Sequence, residues 1–348
     1  MGGREARTQG VIVGPVAVLV LAYGGPKHLD EVKPFLARVL APREPTAQMV
    51  ERALVRYRAI GGASPLAENT FAQASALDAY LRGPGAAALT SAVAGADRPT
   101  GADGRAPEVG TFVGMRFTEP SLSHAVQQAL DFGRGRAVAV ILASHQSARA
   151  TGGYVADVQA ACSAPGDLTP GRVRFVARWH AAPLFLEALA ERVREVLPSS
   201  NERGRNDLSI LFTAHSLPME GGVRDADYES ALLETARGVM ALVGHLPWRL
   251  AYQSRSDRPG VEWLGPDAAD VLAEEAVAGR REVVVVPLGF VSEHLETLYD
   301  LDVALAARAA ELGLGFRRAS TVQDSPRFIQ ALAAAVAYQV GEAGREAA

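Results

Sequence analysis

The chain has 348 residues, of which 48% are apolar, and its formal net charge is −4. This length accommodates two domains of ordinary size or one large α/β unit, and the apolar fraction allows a substantial buried core. The charge is near neutral and no basic stripe is present, which argues against nucleic acid as a partner.

The first apolar run, 11–22, contains Gly14 and Pro15 and is too short to cross a bilayer. It predicts an opening strand and not a signal peptide, so we expect a cytoplasmic protein. Short apolar runs then alternate with longer amphipathic stretches, which is typical of parallel sheets covered by helices. The predicted strands are Val16–Leu21, Gly110–Met115, Val138–Leu142, Val173–Val176, Leu208–Phe212, Trp248–Ala251 and Val283–Pro287. The predicted helices are Leu29–Leu40, Ala47–Ala59, Phe71–Leu81, Ser121–Phe132, Pro183–Val196, Tyr228–Leu242, Asp267–Ala278 and Pro326–Val340.

Stretches rich in Pro and Gly interrupt this alternation. Gly83–Pro107 predicts a long surface loop, and Ser199–Asn206 predicts a smaller polar loop. Ser163–Gly171 predicts a crossing between two similar α/β halves, although no sequence repeat is detectable. The glycine-rich fingerprints of dinucleotide and nucleoside triphosphate sites are missing, so the sequence gives those ligands little support.

A histidine follows the fifth predicted strand, in the run Phe212-Thr213-Ala214-His215-Ser216-Leu217-Pro218. A solitary histidine is most often a structural residue. At the carboxyl end of a strand, however, His215 is a candidate base or metal ligand. His145 follows the third strand and is intermediate between a structural and a functional residue. His28, His124, His180 and His245 lie in helical or loop contexts and are not candidates.

Acidic residues follow the last predicted strand, where Val283–Pro287 leads into Glu293, Glu296 and Asp300. Spacings of three and four residues place these carboxylates on one face of a helix, as a polar track for a divalent cation or for protons. The same helix would turn His294 away from Glu296. If the two strands are parallel neighbours, His215 and the carboxylates meet at the sheet edge where α/β proteins bind ligands. The alternative is a solvated acidic helix face.

Four ordered motifs resemble those of the ferrochelatase family, and the resemblance runs almost from end to end. Tyr57–Leu66 looks like the family's early glycine-rich signature. Phe212–Pro218 looks like its catalytic-histidine motif, and Pro287–Asp302 looks like its catalytic-glutamate motif. Between these two lie Tyr252–Ser254 and Trp263–Pro266, which are similar to the remaining block.

The resemblance implies an α/β fold of two Rossmann-like halves, each a parallel sheet flanked by helices, with a porphyrin cleft between them. The first half would span residues 15–165 and be completed by the C-terminal helix 326–341. The second half would span 172–324 and carry the catalytic residues. His215 and Glu296 take the positions of the catalytic pair and of its metal ligands, and Glu293 and Asp300 form the acidic track.

The implied reaction is the insertion of ferrous iron, a substrate, into a porphyrin in haem biosynthesis. A cleft that bends the macrocycle exposes its nitrogen lone pairs. A histidine–carboxylate pair can accept the departing protons and can also bind Fe²⁺ transiently. The sequence does not decide which of His215 and Glu296 handles the metal and which handles the protons.

The opening Ala22-Tyr23-Gly24 resembles the branch of the family that acts on coproporphyrin III, in which this tyrosine sits over the ring. That branch tends to place basic residues at Leu40 and Ala41, a histidine at Phe117 and a carboxylate near Ala304, and this chain departs from it at all four positions. The candidate substrate-binding residues are Tyr23, Arg56, Ser64 and Tyr154, with Arg149 as a further candidate for the propionates.

No cofactor is expected, and the single cysteine, Cys162, leaves too few thiolates for a cysteine-ligated iron–sulfur cluster. The expected partners are the porphyrin and ferrous iron. Contact with a membrane surface or with another enzyme of the haem pathway is left open, as is the oligomeric state. Three other functions also remain open: a protoporphyrin IX ferrochelatase, a sirohydrochlorin cobalt chelatase, and a porphyrin- or haem-binding protein without catalysis.

Overall fold

The computed structural model describes residues 14–94, 106–162, 171–198, 207–256 and 260–346. These residues form two parallel four-stranded sheets with helices packed against them. The strands of the first sheet are β1 (Val16–Ala22), β2 (Val109–Met115), β3 (Ala137–Ile141) and β4 (Val173–Phe175). The strands of the second are β5 (Leu208–His215), β6 (Trp248–Gln253), β7 (Glu282–Val286) and β8 (Gly315–Arg318). The predicted α/β class with two parallel sheets is confirmed.

The α-helices lie between and after the strands. In the first part of the chain they are α1 (Val32–Leu40), α2 (Ala47–Ala59), α3 (Leu66–Arg82), α4 (Ala86–Ala94), α5 (Leu122–Phe132) and α6 (Gly152–Cys162). In the second part they are α7 (Pro183–Val196), α8 (Ala226–Val243), α9 (Ala268–Val277), α10 (Leu295–Leu298), α11 (Ala306–Glu311) and α12 (Pro326–Glu346). A π-helical turn, Asp300–Leu305, joins α10 to α11. None of the described helices combines the length and the apolarity needed to cross a membrane.

Several predicted boundaries differ from the structure. The predicted loop Gly83–Pro107 is wrong in its first part, because the alanine-rich run there forms α4 and buries Leu89 completely. Alanine has the highest helix propensity of any residue, which explains the outcome. Helix α6 and strand β8 were not predicted. The crossing at 163–170 and the polar loop at 199–206 lie outside the described residues.

The two sheets have the same strand order, β2-β1-β3-β4 in the first and β6-β5-β7-β8 in the second. In each sheet the chain passes from the first strand to one neighbour and then crosses to the other side. The order therefore reverses between β1 and β3, and again between β5 and β7, and ligands of open α/β sheets bind in such crevices. Tyr23 follows β1, His145 follows β3, His215 is the last residue of β5, and Glu296 follows β7.

The last helix joins the two sheets. Helix α12 packs against α3, α4 and β3 on the side of the first sheet and against α7 on the side of the second. One hydrophobic cluster runs through it without a break, from Val18 in β1 and Leu77 in α3 to Phe212 in β5. Phe328 of α12 lies near its centre, with ring centroids 5.8 Å from those of both Trp179 and Phe185.

Candidate active site between the two sheets

A cavity of about 500 Å³ lies between the carboxyl ends of the two sheets. Its volume is within the range of ordinary small-molecule sites, roughly 300–1,000 Å³. Residues from both halves line it. They include all four predicted substrate-binding residues, Arg149 and both members of the predicted catalytic pair: Tyr23, Arg56, Ser64, Arg149, Tyr154, His215 and Glu296. Much of the remaining wall is apolar, as expected for a site that holds a largely apolar ligand.

His215 is the last residue of β5, which extends three residues beyond its predicted end. The ring is held from behind, because Nδ1 donates a hydrogen bond to the carbonyl oxygen of Ser216. Tyr228 of α8 fixes the backbone, donating its hydroxyl proton to the carbonyl oxygen of His215 at 3.1 Å. Nε2 therefore faces the cavity, and it lies 3.4 Å from Oε1 of Glu296.

Glu296 lies in the short helix α10, at the end of the loop that follows β7. Strands β5 and β7 are parallel neighbours, and this brings Glu296 to His215 across the crevice. Gln253 at the end of β6 holds the backbone of Glu296, donating from its side-chain amide to the carbonyl oxygen at 2.7 Å. The wall that carries the pair is thus built from three adjacent strands.

His294 contacts Glu296, with Nε2 3.6 Å from Oε2, and the prediction that these side chains face apart is wrong. That prediction assumed that both residues belong to one helix. His294 is instead the N-cap of α10 and has an extended backbone, with φ −162° and ψ −174°. Thr297 holds it there, because the backbone N–H of His294 donates to the Thr297 hydroxyl at 3.0 Å.

The His215–Glu296 pair shifts both pKa values toward the charged forms. Burial disfavours a protonated imidazole, but the Glu296 carboxylate outweighs burial and raises the pKa of His215 to about 9. Burial likewise disfavours an ionised Glu296, yet His215 and His294 hold the pKa of its carboxyl well below the ordinary value. At neutral pH the pair is therefore an imidazolium next to a carboxylate.

The three carboxylates of the predicted acidic row do not share one helix face. Glu293 precedes α10, and its carboxylate turns toward Arg318 at 2.8 Å and the backbone N–H of Thr321 at 2.9 Å. Burial opposes its ionisation, but Arg318 and Thr321 outweigh burial and lower the pKa of Glu293. Of the three, Glu296 alone lines the cavity. Helical spacing misplaced the row because Glu293 lies before α10 and because the helix changes from α to π after Leu298.

Asp300 lies behind Glu296 at the start of the π-helical turn. Its carboxylate accepts hydrogen bonds from the Arg56 guanidinium and from the Ser254 hydroxyl. Burial raises the pKa of the Asp300 carboxyl, and the pairing with Arg56 offsets this only in part. The guanidinium of Arg56 also lies over the ring of Tyr299, 5.2 Å from its centroid. Arg56 therefore links α2 of the first half to the acidic segment of the second.

Tyr23 follows β1 and stands in the opposite wall of the cavity. Two aromatic rings hold it, with the centroid of Phe117 at 4.6 Å and that of Phe35 at 6.2 Å. Such edge and tilted contacts fix ring orientation. Phe117 thus supports Tyr23 at a position where the coproporphyrin branch tends to have histidine.

Three arginines line the cavity, of which sequence reasoning weighed Arg56 and Arg149 but not Arg116. Arg116 follows β2 and lies over the Tyr154 ring at 5.5 Å, while its Nε donates to Asp157 at 2.6 Å. Arg149 donates to the carbonyl oxygens of Pro218 and Val223 in the loop after His215. The position of Arg116 directly after a strand, like that of Tyr23, is the sequence feature that would have identified it.

Ser64 reaches the cavity because two glycines follow α2. Gly61 and Gly62 have φ values of +96° and +92°, a region that other residues rarely adopt. The backbone N–H of Ser64 then bonds to the carbonyl oxygen of Pro26, in the loop that follows Tyr23. The glycine-rich segment thereby places Ser64 beside the turn after β1.

His145 lies in the cavity wall, but both of its ring nitrogens are hydrogen-bonded to other side chains of the protein. Its Nδ1 bonds to the Ser144 hydroxyl at 2.9 Å and its Nε2 to the Thr235 hydroxyl at 3.0 Å. Burial, with a smaller contribution from His180, lowers the pKa of His145 to about 3. The ring is therefore neutral, and both its nitrogens are occupied in linking β3 to α8.

Comparison with known proteins agrees with this geometry. The family model of ferrochelatase matches residues 15–340. The chain belongs to the ferrochelatase family. A ferrochelatase from Herpetosiphon aurantiacus is 33% identical over 93% of this chain and 98% of its own length. A coproporphyrin III ferrochelatase from Frankia alni is 36% identical over 90% of this chain and 77% of its own length.

The fold also matches a solved chelatase structure. SirB from Bacillus subtilis with Fe³⁺ has a TM-score of 0.52 and 11% identity, covering 96% of each chain. At that identity the likeness extends to the fold alone. Ferrochelatases insert iron into a porphyrin, a reaction of haem biosynthesis, and this chain is an enzyme of that kind. Its ferrochelatase relatives include proteins named with and without coproporphyrin III.

Proposed function

We propose that this ferrochelatase inserts Fe²⁺ into coproporphyrin III and that His215 and Glu296 carry the reaction. One observation supports this above all others. The two side chains are far apart in sequence, yet they lie 3.4 Å from each other in a single cavity lined by both halves of the protein. Imidazole and carboxylate are suitable transient ligands for ferrous iron and suitable proton acceptors.

Iron insertion requires side chains that can both bind the metal and accept protons. A porphyrin must lose two N–H protons for each iron that enters, and its nitrogen lone pairs are accessible only when the ring is bent. In the free enzyme Glu296 is ionised and the His215 imidazole is protonated. Arriving Fe²⁺ displaces the imidazole proton and takes Nε2 and the carboxylate as ligands.

Transfer of the iron to the macrocycle then frees both side chains. The two pyrrole protons pass to the vacated imidazole and to the Glu296 carboxylate, which restores the imidazolium. Glu296 next releases its proton to solvent. In total, one ferrous ion is taken up and two protons are released, without a change in oxidation state.

Coproporphyrin III is the preferred substrate in this proposal because of the charge on the cavity wall. It carries four propionates, whereas protoporphyrin IX carries two and two apolar vinyl groups. Arg56, Arg116 and Arg149 line the cavity, and guanidinium groups suit carboxylates. Tyr23 and Ser64 also line the wall contributed by the first half. The naming of the Frankia alni relative is in line with this choice.

The test is anaerobic turnover with Fe²⁺ and either coproporphyrin III or protoporphyrin IX, followed by absorbance. We expect a higher kcat/KM with coproporphyrin III. Faster turnover of protoporphyrin IX would overturn the substrate assignment while leaving iron insertion intact. Binding of both porphyrins without turnover would point to a carrier, and turnover of Co²⁺ with sirohydrochlorin alone would point to a cobalt chelatase.

A further inference from the structure

We infer that Gln73 is a positioning residue that holds the Glu296 loop of the second half in place against the first half. The inference rests on the proposed function only in taking Glu296 as a catalytic group. Gln73 lies in α3, which packs against β1 and β2 of the first sheet. Its side chain does not line the cavity, and sequence reasoning assigned it no role.

The Gln73 side chain is 1% exposed, and its hydrogen bonds all go to the second half or to the segment before α12. The amide nitrogen donates to the carbonyl oxygen of Val291 at 3.0 Å and to that of Gln323 at 2.9 Å. The amide oxygen accepts from the Ser292 hydroxyl at 3.1 Å. Gln73 thus contacts two loops at once, one leading to Glu296 and one leading to α12.

These two loops also contact each other. The backbone N–H of Gln323 donates to the carbonyl oxygen of Val291 at 3.0 Å, so this oxygen receives a bond from each side. One turn earlier in α3, the Asn69 side chain donates to the carbonyl oxygen of Glu293 at 3.1 Å. Helix α3 therefore holds two consecutive sections of the loop from behind, while Val291 and Ser292 line the cavity in front.

A primary amide is the group that this position requires. It must present two N–H donors to two carbonyl oxygens and one acceptor to a hydroxyl, and Gln is the side chain of suitable length that does both. An apolar residue of similar volume leaves the carbonyl oxygen of Gln323 and the hydroxyl of Ser292 without these partners, and the buried carbonyl oxygen of Val291 keeps only its bond from the Gln323 N–H. Such unpaired groups are costly, so the loop would shift to satisfy them.

The consequence concerns Glu296, three residues beyond the held section. A shift of the loop moves the carboxylate relative to His215, which is fixed independently at the end of β5. The porphyrin-facing residues Tyr23, Ser64 and Tyr154 belong to the first half and keep their positions. Loss of Gln73 should therefore impair the chemical step more than porphyrin binding.

The experiment compares Gln73→Leu with Thr70→Val in the full-length enzyme. Thr70 is also fully buried in α3, but its hydroxyl bonds to Leu66 within the same helix. In Gln73→Leu we expect kcat to fall roughly tenfold to a hundredfold, since misplacing a catalytic group by about 1 Å has such effects. The porphyrin Kd, measured by fluorescence quenching, should stay within about threefold of the wild-type value. Thr70→Val should keep both quantities near wild type.

A second comparison separates positioning from a general folding effect. If Gln73 acts through Glu296, Gln73→Leu lowers the residual kcat of Glu296→Gln by less than about twofold, because coupled residues are not additive. Multiplicative losses in the double variant would overturn the inference, as would a wild-type kcat in Gln73→Leu. If Gln73→Leu fails to fold, Gln73→Glu replaces it: one carboxyl oxygen then takes the place of the amide nitrogen that donates to both carbonyl oxygens, and the same loss of kcat is expected.

These experiments distinguish a failure of the positioning role of Gln73 from a failure of the proposed function. If the wild-type enzyme turns over porphyrin but Glu296→Gln is fully active, the catalytic assignment fails. If Glu296→Gln is impaired and Gln73→Leu is not, the positioning role fails alone.

Discussion

His215 and Glu296 show how two side chains define a site at the residue scale. His215 stands at the end of a rigid central strand, with its backbone and Nδ1 both fixed by hydrogen bonds. In the proposed mechanism, truncation of this side chain removes one metal ligand and one proton acceptor but leaves the surrounding walls in place. The effect should therefore be confined to catalysis.

We predict that His215→Ala lowers kcat for iron insertion by about 10²–10⁴-fold, the usual range for a group in acid–base catalysis. Porphyrin binding should persist, because Tyr23, Ser64 and the cavity arginines are unchanged. Stopped-flow absorbance measures the rate, and fluorescence quenching measures the Kd. His245→Ala, at an exposed position, is the matched control. An unchanged rate in His215→Ala would remove this residue from the mechanism.

Glu296 is the main reason that the pKa of His215 is raised, so its removal should be visible in the titration of the ring. In Glu296→Gln we expect the pKa to fall from about 9 toward or below 6.5, the ordinary value, because burial then acts with less opposition. NMR of the imidazole protons measures this directly. A remote, exposed change such as Glu51→Gln should have no effect. A pKa that stays near 9 in Glu296→Gln would contradict the pairing.

The same pair makes folding stability depend on pH. The folded pKa of His215 lies above its unfolded value, so its stabilising contribution is complete below about 6.5 and is lost as pH rises through about 9. The pKa of Glu296 is lowered, so its contribution is present above about 4.5 and is lost as pH falls through its folded pKa. Glu296→Gln should therefore destabilise the protein more at pH 6 than above pH 9, as measured by urea unfolding. Equal losses at both pH values would refute this.

Individual residues were predictable from sequence where a strand end determined their position. His215, Tyr23 and the segment of Glu296 all follow strands, and parallel strands end at a common edge. Arg116 also follows a strand, and the same argument would have identified it. His294 and Gln73 could not have been found in this way. One depends on an extended N-cap and the other on a loop more than two hundred positions away in the chain, and neither leaves a periodic signal.

At the scale of the element, the loop between β7 and α10 is shaped by close packing. A Cβ atom at Gly289 would lie 2.8 Å from the Cβ and 2.9 Å from the Cα of Ala214, immediately before His215. The loop can therefore pass β5 only because residue 289 is glycine. The close approach of Gly289 to β5, together with the hydrogen bonds from α3 to the loop, fixes where α10 begins.

We predict that Gly289→Ala destabilises the protein by about 1–3 kcal/mol, the typical cost of overpacking. It should also lower kcat, because the loop must move away from β5 and carry Glu296 with it. Urea unfolding and the iron-insertion assay measure the two effects. Gly152→Ala is the control, since nothing lies within 4 Å of an added Cβ there. Wild-type stability and activity in Gly289→Ala would show that the loop position tolerates the shift.

The elements themselves were predicted best where apolar runs were buried on both faces. Strands β1, β5 and β7 are buried throughout most of their length and read as continuous apolar runs. Strand β8 was missed because its sequence, Gly-Phe-Arg-Arg, is short, polar and half exposed at a sheet edge. The sequence pattern predicts one continuous helix over α10 and the π-helical turn. Nothing in the order of polar and apolar residues marks the change from α to π geometry.

At the scale of the whole molecule, the two sheets share one core. The cluster that contains Val18 and Leu77 of the first half continues through Phe328 to Phe212 of the second. Polar contacts also cross between the halves, as in the bond from Ser147 to Asp225 at 2.7 Å. Each half also has a smaller apolar cluster of its own, but the largest cluster is common to both halves.

We therefore predict a single cooperative thermal transition, in which both sheets unfold together. Calorimetry should give equal calorimetric and van't Hoff enthalpies, the usual test of two-state unfolding. Near-ultraviolet circular dichroism should report the same midpoint, because Trp179 and Trp248 lie in different parts of the shared core. Two resolved transitions would show that the halves are independent in stability.

The position of α12 has a consequence for biosynthesis. This helix follows every other described element in chain order, yet it covers apolar faces of α3, α4 and α7. During translation the nascent chain must expose those faces until residues 326–346 have left the ribosome. Early segments that fold as the ribosome advances are prone to aggregate while apolar surface is uncovered. The interval before the last helix docks is thus the period in which a chaperone would protect this chain.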